Sequence, residues 1–149
     1  MSLPYENATS GSKALSDLQS ILSNFGCDAF GTMTYADKGE VMVQFRYRSR
    51  MVQVSASSKG YAARWLRENP WTTRRSLSRP EHERKALAIG EVAVYSILRD
   101  WIKGQVTAIE CGILSFEGAF LGQILLANGK TVLEHAMAQQ LLPSPQEQA

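Results

Sequence analysis

Residues 41–56 read VMVQFRYRSRMVQVSA, and this stretch decides the fold. Val41, Val43, Phe45 and Tyr47 fall on alternate positions, with Met42, Gln44 and Arg46 between them. Successive side chains of a strand point to opposite faces, so this is a strand with one apolar side. After Arg48 and Ser49 the alternation resumes over Arg50 to Ala56, with Val52 and Val54 facing in and Met51 and Gln53 facing out. Arg48-Ser49 is then a tight turn; lacking glycine, its type stays open at this point. Upstream, Phe30 to Tyr35 reads as another strand, joined through the turn Asp37-Lys38-Gly39. A three-stranded antiparallel meander with one buried face is predicted, since slipping any strand by one residue would turn its apolar row to water.

Helical periodicity surrounds this meander. Leu15, Leu18, Ile21 and Leu22 give Lys13 to Asn24 one apolar face, and Gly26 is placed to cap its C-terminus. Ser58 to Asn69 predicts a short helix with Tyr61, Ala62, Trp65 and Leu66 on its apolar side, stopped by Pro70. Ser78 with Glu81 forms a capping-box pattern opening a long helix over about 79–111. Leu87, Gly90, Val94, Ile97, Trp101, Gly104, Ala108 and Cys111 recur every three or four residues as one continuous seam, and its two glycines suggest close approach of another backbone. Ser115 is expected to start a further helix carrying Phe116, Phe120, Leu121, Ile124 and Leu125. After the Asn128-Gly129 turn, Thr131 to Leu141 is expected to be a last helix with Val132, Leu133, Ala136 and Met137 on one side. The class is α+β: a three-stranded antiparallel sheet, one face covered by helices. Residues 1–12 read as a flexible arm, 13–142 as a single domain, and 143–149 as a disordered tail.

Charge is distributed unevenly. The 149 residues carry a formal +2, but Lys38 to Lys85 holds twelve bases and four acids, a formal +8. The remainder, with four bases and ten acids, stands at −6. Phe45, Tyr47, Tyr61, Trp65 and Trp71 are interleaved with these arginines, a composition suited to phosphate backbones and to stacked single-strand bases. The candidate residues are Arg46, Arg48 and Arg50 on the hairpin, and Arg74, Arg75 and Arg79 on a loose basic linker, with Trp71 as an exposed stacking partner. The two groups are expected to share one surface. Against this stands neutralisation in place: Arg46 by Glu40 or a neighbour, Arg64 by Glu68 four residues on, and other bases by acids from elsewhere in the chain.

Other chemistries find little support. The two histidines, His82 and His135, have no metal-ligand spacing; His82-Glu83 is followed four positions on by Ala86, and His82 is expected to face solvent. No phosphate loop, dinucleotide fingerprint or GxSxG elbow occurs. Cys27 and Cys111 lack CxxC spacing; a disulfide or two buried free thiols would both fit, and free thiols are expected. No cofactor, metal or enzymatic activity is expected. The absence of a long apolar run and of a signal-peptide pattern in residues 1–13 predicts a cytoplasmic protein without membrane contact.

Four groups of residues also carry a resemblance. Arg84-Lys85-Ala86-Leu87, Ile102-Lys103 with Glu110-Cys111-Gly112-Ile113, Ser115-Phe116-Glu117 with Ala119-Phe120-Leu121, and Asn128-Gly129-Lys130-Thr131-Val132 resemble an uncharacterised family of small proteins of tailed bacteriophages and prophages. The chain differs from that pattern at Gly118, where an acid is usual, and at Ala127, where proline is. The resemblance implies a bacterial host cytoplasm during infection, or expression from a prophage, and brings no established activity with it. The helix–three strands–helix order separately resembles the core of phage single-strand annealing proteins, in layout only. Together these give an expected function: a non-enzymatic phage accessory protein that binds nucleic acid, single-stranded in preference. Two alternatives stand beside it, a module that inhibits or redirects an acidic bacterial host protein and a small virion or assembly component. A homo-oligomer fits all three.

Overall fold

The computed structural model describes residues 2–145; the end of the tail, 146–149, where disorder is expected, lies outside the described residues. The elements are α1 (Gly11–Phe25), β1 (Ala29–Tyr35), β2 (Glu40–Tyr47), β3 (Arg50–Ser57), α2 (Ser58–Glu68), α3 (Arg79–Glu110), α4 (Phe116–Phe120) and α5 (Val132–Ala138), with a 3₁₀ turn at Leu121–Gln123. The protein is α+β, with a three-stranded antiparallel sheet in the order β1-β2-β3 and one long helix.

The register follows from the apolar rows. Val43 lies opposite Val54 and Phe45 opposite Val52, while Thr32 and Phe30 face the same two β2 residues from β1. Val41, Val43, Phe45 and Val52 are fully enclosed beneath Leu18 and Leu22 of α1 and Leu98 and Ile102 of α3. Each such side chain contributes about 1.5–3 kcal/mol relative to an exposed one. Arg48 and Ser49 have φ of +48° and +66°, so the β2–β3 turn has the left-handed pair of a type I′ turn despite lacking glycine. Ser10 caps α1 by accepting the Lys13 N–H, and Gly26 ends it in the left-handed region at φ +110°.

The long helix opens as read, with the reciprocal Ser78–Glu81 capping box, but its buried face differs from the expected seam. Gly90 and Val94 are buried, whereas Leu87 is 41% and Trp101 37% exposed, and nothing approaches Gly104. The buried face instead runs through His82, Ala86, Gly90, Ala93, Val94, Leu98, Ile102 and Val106. Small residues hold these places because helices, not only the sheet, press on α3. Ala62 and Trp65 of α2 meet Ala86 in a second, smaller core. His82, expected in solvent, is buried beside the Trp65 ring at 5.2 Å. Its Nε2–H donates to the Asn69 carbonyl at 2.7 Å; a carbonyl only accepts, which fixes that proton on Nε2.

The C-terminal third departs further from expectation. The helix at Phe116 stops at Phe120, and Ile124 and Leu125 extend along the sheet instead. Ile124 bridges Val52, and the Leu125 N–H donates to the Met51 carbonyl at 2.8 Å. The last helix is short, opened by a capping box of Thr131 and Glu134. Leu133 and Met137 on its expected apolar side are exposed. The cysteines are free; Cys27 is half-buried and Cys111 exposed, not buried on the seam. Burial pushes the Cys27 thiol up to about 11.

The N-terminal segment, expected as a loose arm, packs on α2 and α3. Leu3 joins the smaller core, Tyr61 donates to the Pro4 carbonyl at 2.6 Å, and Tyr5 donates to Asp100 at 2.7 Å. Hydrogen bonds from Arg99 first, and from Tyr5, hold the Asp100 carboxyl below the usual carboxylate range. The Asp100 bond in turn raises the Tyr5 phenol. The pH window for docking follows. A lowered carboxylate stabilises above the ordinary carboxylate range and loses that contribution as pH falls through its own pKa; a raised phenol contributes below about 10 and loses it as pH rises through its pKa. Tyr5→Phe should therefore shift the Asp100 carboxyl upward in a carbon-detected NMR titration, and the amides of residues 3–8 should lose dispersion at both pH extremes in the native chain.

Candidate nucleic-acid interface

The sequence places twelve bases in one stretch; the fold divides them. Arg48 and Arg50 stand at the β2–β3 turn, beside Ile109 and Glu110 at the end of α3. Arg74, Arg75 and Arg79 stand in the α2–α3 connection, at the beginning of α3. Those ends are separated by about 45 Å, the length of a helix this long at ~1.5 Å per residue. The expected shared surface does not form. Sequence distance misled here because β3 and α2 carry the chain away from the turn before the connection is reached.

At the turn end, the arginines are largely engaged. Arg46 donates twice to Asp28, at 2.9 and 3.2 Å, not to Glu40. The same contact holds the Asp28 carboxyl below its usual range. Arg50 pairs with Glu117 at 3.6 Å. Arg48 has no carboxylate partner among the described residues and lies over the Tyr47 ring, 5.1 Å from its centroid. Tyr47 also stacks on Phe25 at 4.3 Å and meets Phe116 at 4.9 Å. With Glu110 and Ser115 these residues line an open cleft of about 510 Å³. Two arginines and two glutamates make its charge balanced, a poor trap for a polyanion.

The α2–α3 end is different. Arg64 to Lys85 contains seven bases and three acids, a formal +4. Arg64 pairs with Glu68 at 3.0 Å, as the sequence predicts, and Arg79 pairs with Glu83 at 3.4 Å. Glu81 closes the capping box on the Ser78 N–H. All three acids are thus occupied, while Arg67, Arg74, Arg75, Arg84 and Lys85 have no ion pair among the described residues and are exposed. The connection is tied to itself rather than loose. The Trp71 indole N–H donates to the Leu77 carbonyl at 2.8 Å, and the Arg75 Nε to the Pro70 carbonyl at 3.1 Å. Trp71 is half-buried, not freely exposed, and lines a shallow hollow with Leu66, Pro70, Arg79 and Glu83.

Sequence reading missed Arg67, Arg84 and Lys85 as members of this end. Their signal was available: Arg67 precedes the connection and Arg84 and Lys85 follow it, on predicted helices whose acids are already taken by nearer partners. Among the described residues no cluster of three or more His, Cys, Asp or Glu could hold a metal ion, and no helix is long and apolar enough to cross a membrane. Set against family models, curated proteins and solved structures, the chain matches none of them.

Proposed function

We propose that this protein binds nucleic acid without acting on it chemically, single strands in preference, through the tip formed by the end of α2, the 69–78 connection and the start of α3. One observation carries this: five exposed cations without ion pairs among the described residues, Arg67, Arg74, Arg75, Arg84 and Lys85, stand in a single helical hairpin whose acids are all engaged. Neutralising phosphates releases counterions, and such a concentration of unpaired arginine and lysine is what that release requires. The half-buried Trp71 supplies an aromatic edge beside them, which favours unstacked bases over duplex. A bacterial cytoplasm and a phage or prophage origin belong to the same proposal and rest on the resemblance of residues 84–134. The turn-end arginines contribute less, since Arg46 and Arg50 hold carboxylates.

The test is a gel shift with single-stranded DNA, single-stranded RNA and duplex at two salt concentrations. Retardation of single strands that weakens steeply with salt is expected; no retardation of any nucleic acid at low salt would sink the proposal. A second reading, contact with another protein, is favoured by Ile113, Leu121, Leu133, Met137 and Leu141, all apolar and exposed toward the C-terminus. It predicts that a bacterial protein co-purifies while nucleic acid binds weakly.

A further inference from the structure

The sheet has two edges, and the chain treats them differently. The β3 edge is partly covered by Ile124 and Leu125, which bridge Val52 and hydrogen-bond Met51. The β1 edge has no such cover. Apart from the Tyr35 carbonyl, which accepts from Lys38 in the following turn, no backbone group of β1 is hydrogen-bonded outside the β1–β2 ladder to any described residue.

Folded proteins ordinarily protect such an edge with charge, proline, a bulge or short length. This strand has none of these. Ala-Phe-Gly-Thr-Met-Thr-Tyr is uncharged and free of proline, and its seven residues pair with β2 in unbroken register from Ala29–Arg46 to Tyr35–Glu40. Its core-facing row is also unfinished: Phe30 and Thr32 are only half-buried, and Thr34 is exposed. Met33, on the outer row, is 49% exposed.

We propose that β1 pairs antiparallel with β1 of a second copy, about a two-fold axis at Thr32, giving a continuous six-stranded sheet. The occupant is argued from the strand itself. Centring on Thr32 overlaps all seven residues and sets Phe30 against Thr34 and Gly31 against Met33 of the other copy, so each methionine meets a position without a side chain. No like charges face each other along the strand, and the nearest flanking acid, Asp28, is already held by Arg46. The ladder bonds satisfy the free edge groups, and the partner strand covers the half-buried Phe30. This pairing does not depend on nucleic-acid binding.

The test is sedimentation equilibrium on the full chain and two variants. In the pairing above, residues 31 and 33 face each other across the axis. A built Cβ at Gly31 meets nothing within 4 Å, so charges there and at exposed Met33 should not disturb the protomer. The native chain should be a dimer. Gly31→Lys with Met33→Lys sets lysine against lysine twice and should raise the dimer dissociation constant about tenfold or more. Gly31→Glu with Met33→Lys alters the same two positions but sets opposite charges together; it should remain a dimer and serves as the folding control by circular dichroism. A monomeric native chain, a double-lysine variant that dimerises as tightly as native, or a Glu/Lys variant that dissociates as readily as the double-lysine one would each overturn the pairing.

Discussion

Phe120→Ala is expected to cost about 3–5 kcal/mol of stability, the range for removing a fully enclosed phenylalanine. Phe120 ends α4, a helix of five residues that holds itself together poorly, and its ring is the anchor. It lies edge-on to Phe45 of β2 at 5.4 Å and to Trp101 of α3 at 5.8 Å, with Phe116 at 5.5 Å. Losing it opens a cavity at the junction of sheet, long helix and C-terminal segment, and no neighbouring side chain can fill it without leaving its own contacts. Urea unfolding of native and variant chains gives the difference directly. An unchanged midpoint would mean that the C-terminal third is not part of the cooperative core.

Gly90→Ala should be the costliest single-atom change in the long helix. A Cβ at Gly90 would lie 2.5 Å from the Ser58 carbonyl oxygen and 3.2 Å from the Ala62 nitrogen, both backbone atoms of α2. The helices must move apart, at an overpacking cost of about 1–3 kcal/mol that outweighs the ~1 kcal/mol alanine gains in helix propensity. Gly104→Ala is the matched comparison. Nothing lies within 4 Å of a Cβ there, so only the propensity gain of roughly 1 kcal/mol remains and the melting temperature should rise. Both effects are read from thermal unfolding followed by circular dichroism.

These two glycines also mark how far the sequence can be read. The sheet was legible because its period of two is short and its inward rows, Val41-Val43-Phe45 and Val52-Val54, are wholly apolar. Caps were legible at Ser78 and Gly26, where one residue's chemistry decides the local backbone. The phase of α3 was not. Leu87, Ile97 and Trp101 draw the eye to a face that the fold leaves largely open, while Ala86, Gly90 and Ala93 mark the face packed by other elements. Close helix packing selects small residues, and hydrophobic periodicity gives those little weight. His82 was misplaced for the same reason: its cover comes from Trp65 and Asn69, residues of another element. At the candidate site the types of residue were legible and their grouping was not. Charge can be counted along a chain, but Arg50 and Arg74 are separated by a strand and a helix that carry them to opposite ends of α3.

That separation makes the central claim testable by comparing its two ends. Fluorescence anisotropy with a labelled single-stranded oligonucleotide, titrated over a series of salt concentrations, should be run on two triple variants. Alanine at Arg74, Arg75 and Arg84 should weaken binding to all sequences alike and flatten the dependence of log affinity on log salt, because fewer counterions are released. Alanine at Arg46, Arg48 and Arg50 should leave the slope close to that of the native chain. The reverse outcome, with the hairpin variant losing the salt dependence and the connection variant retaining it, would contradict binding at the α2–α3 tip.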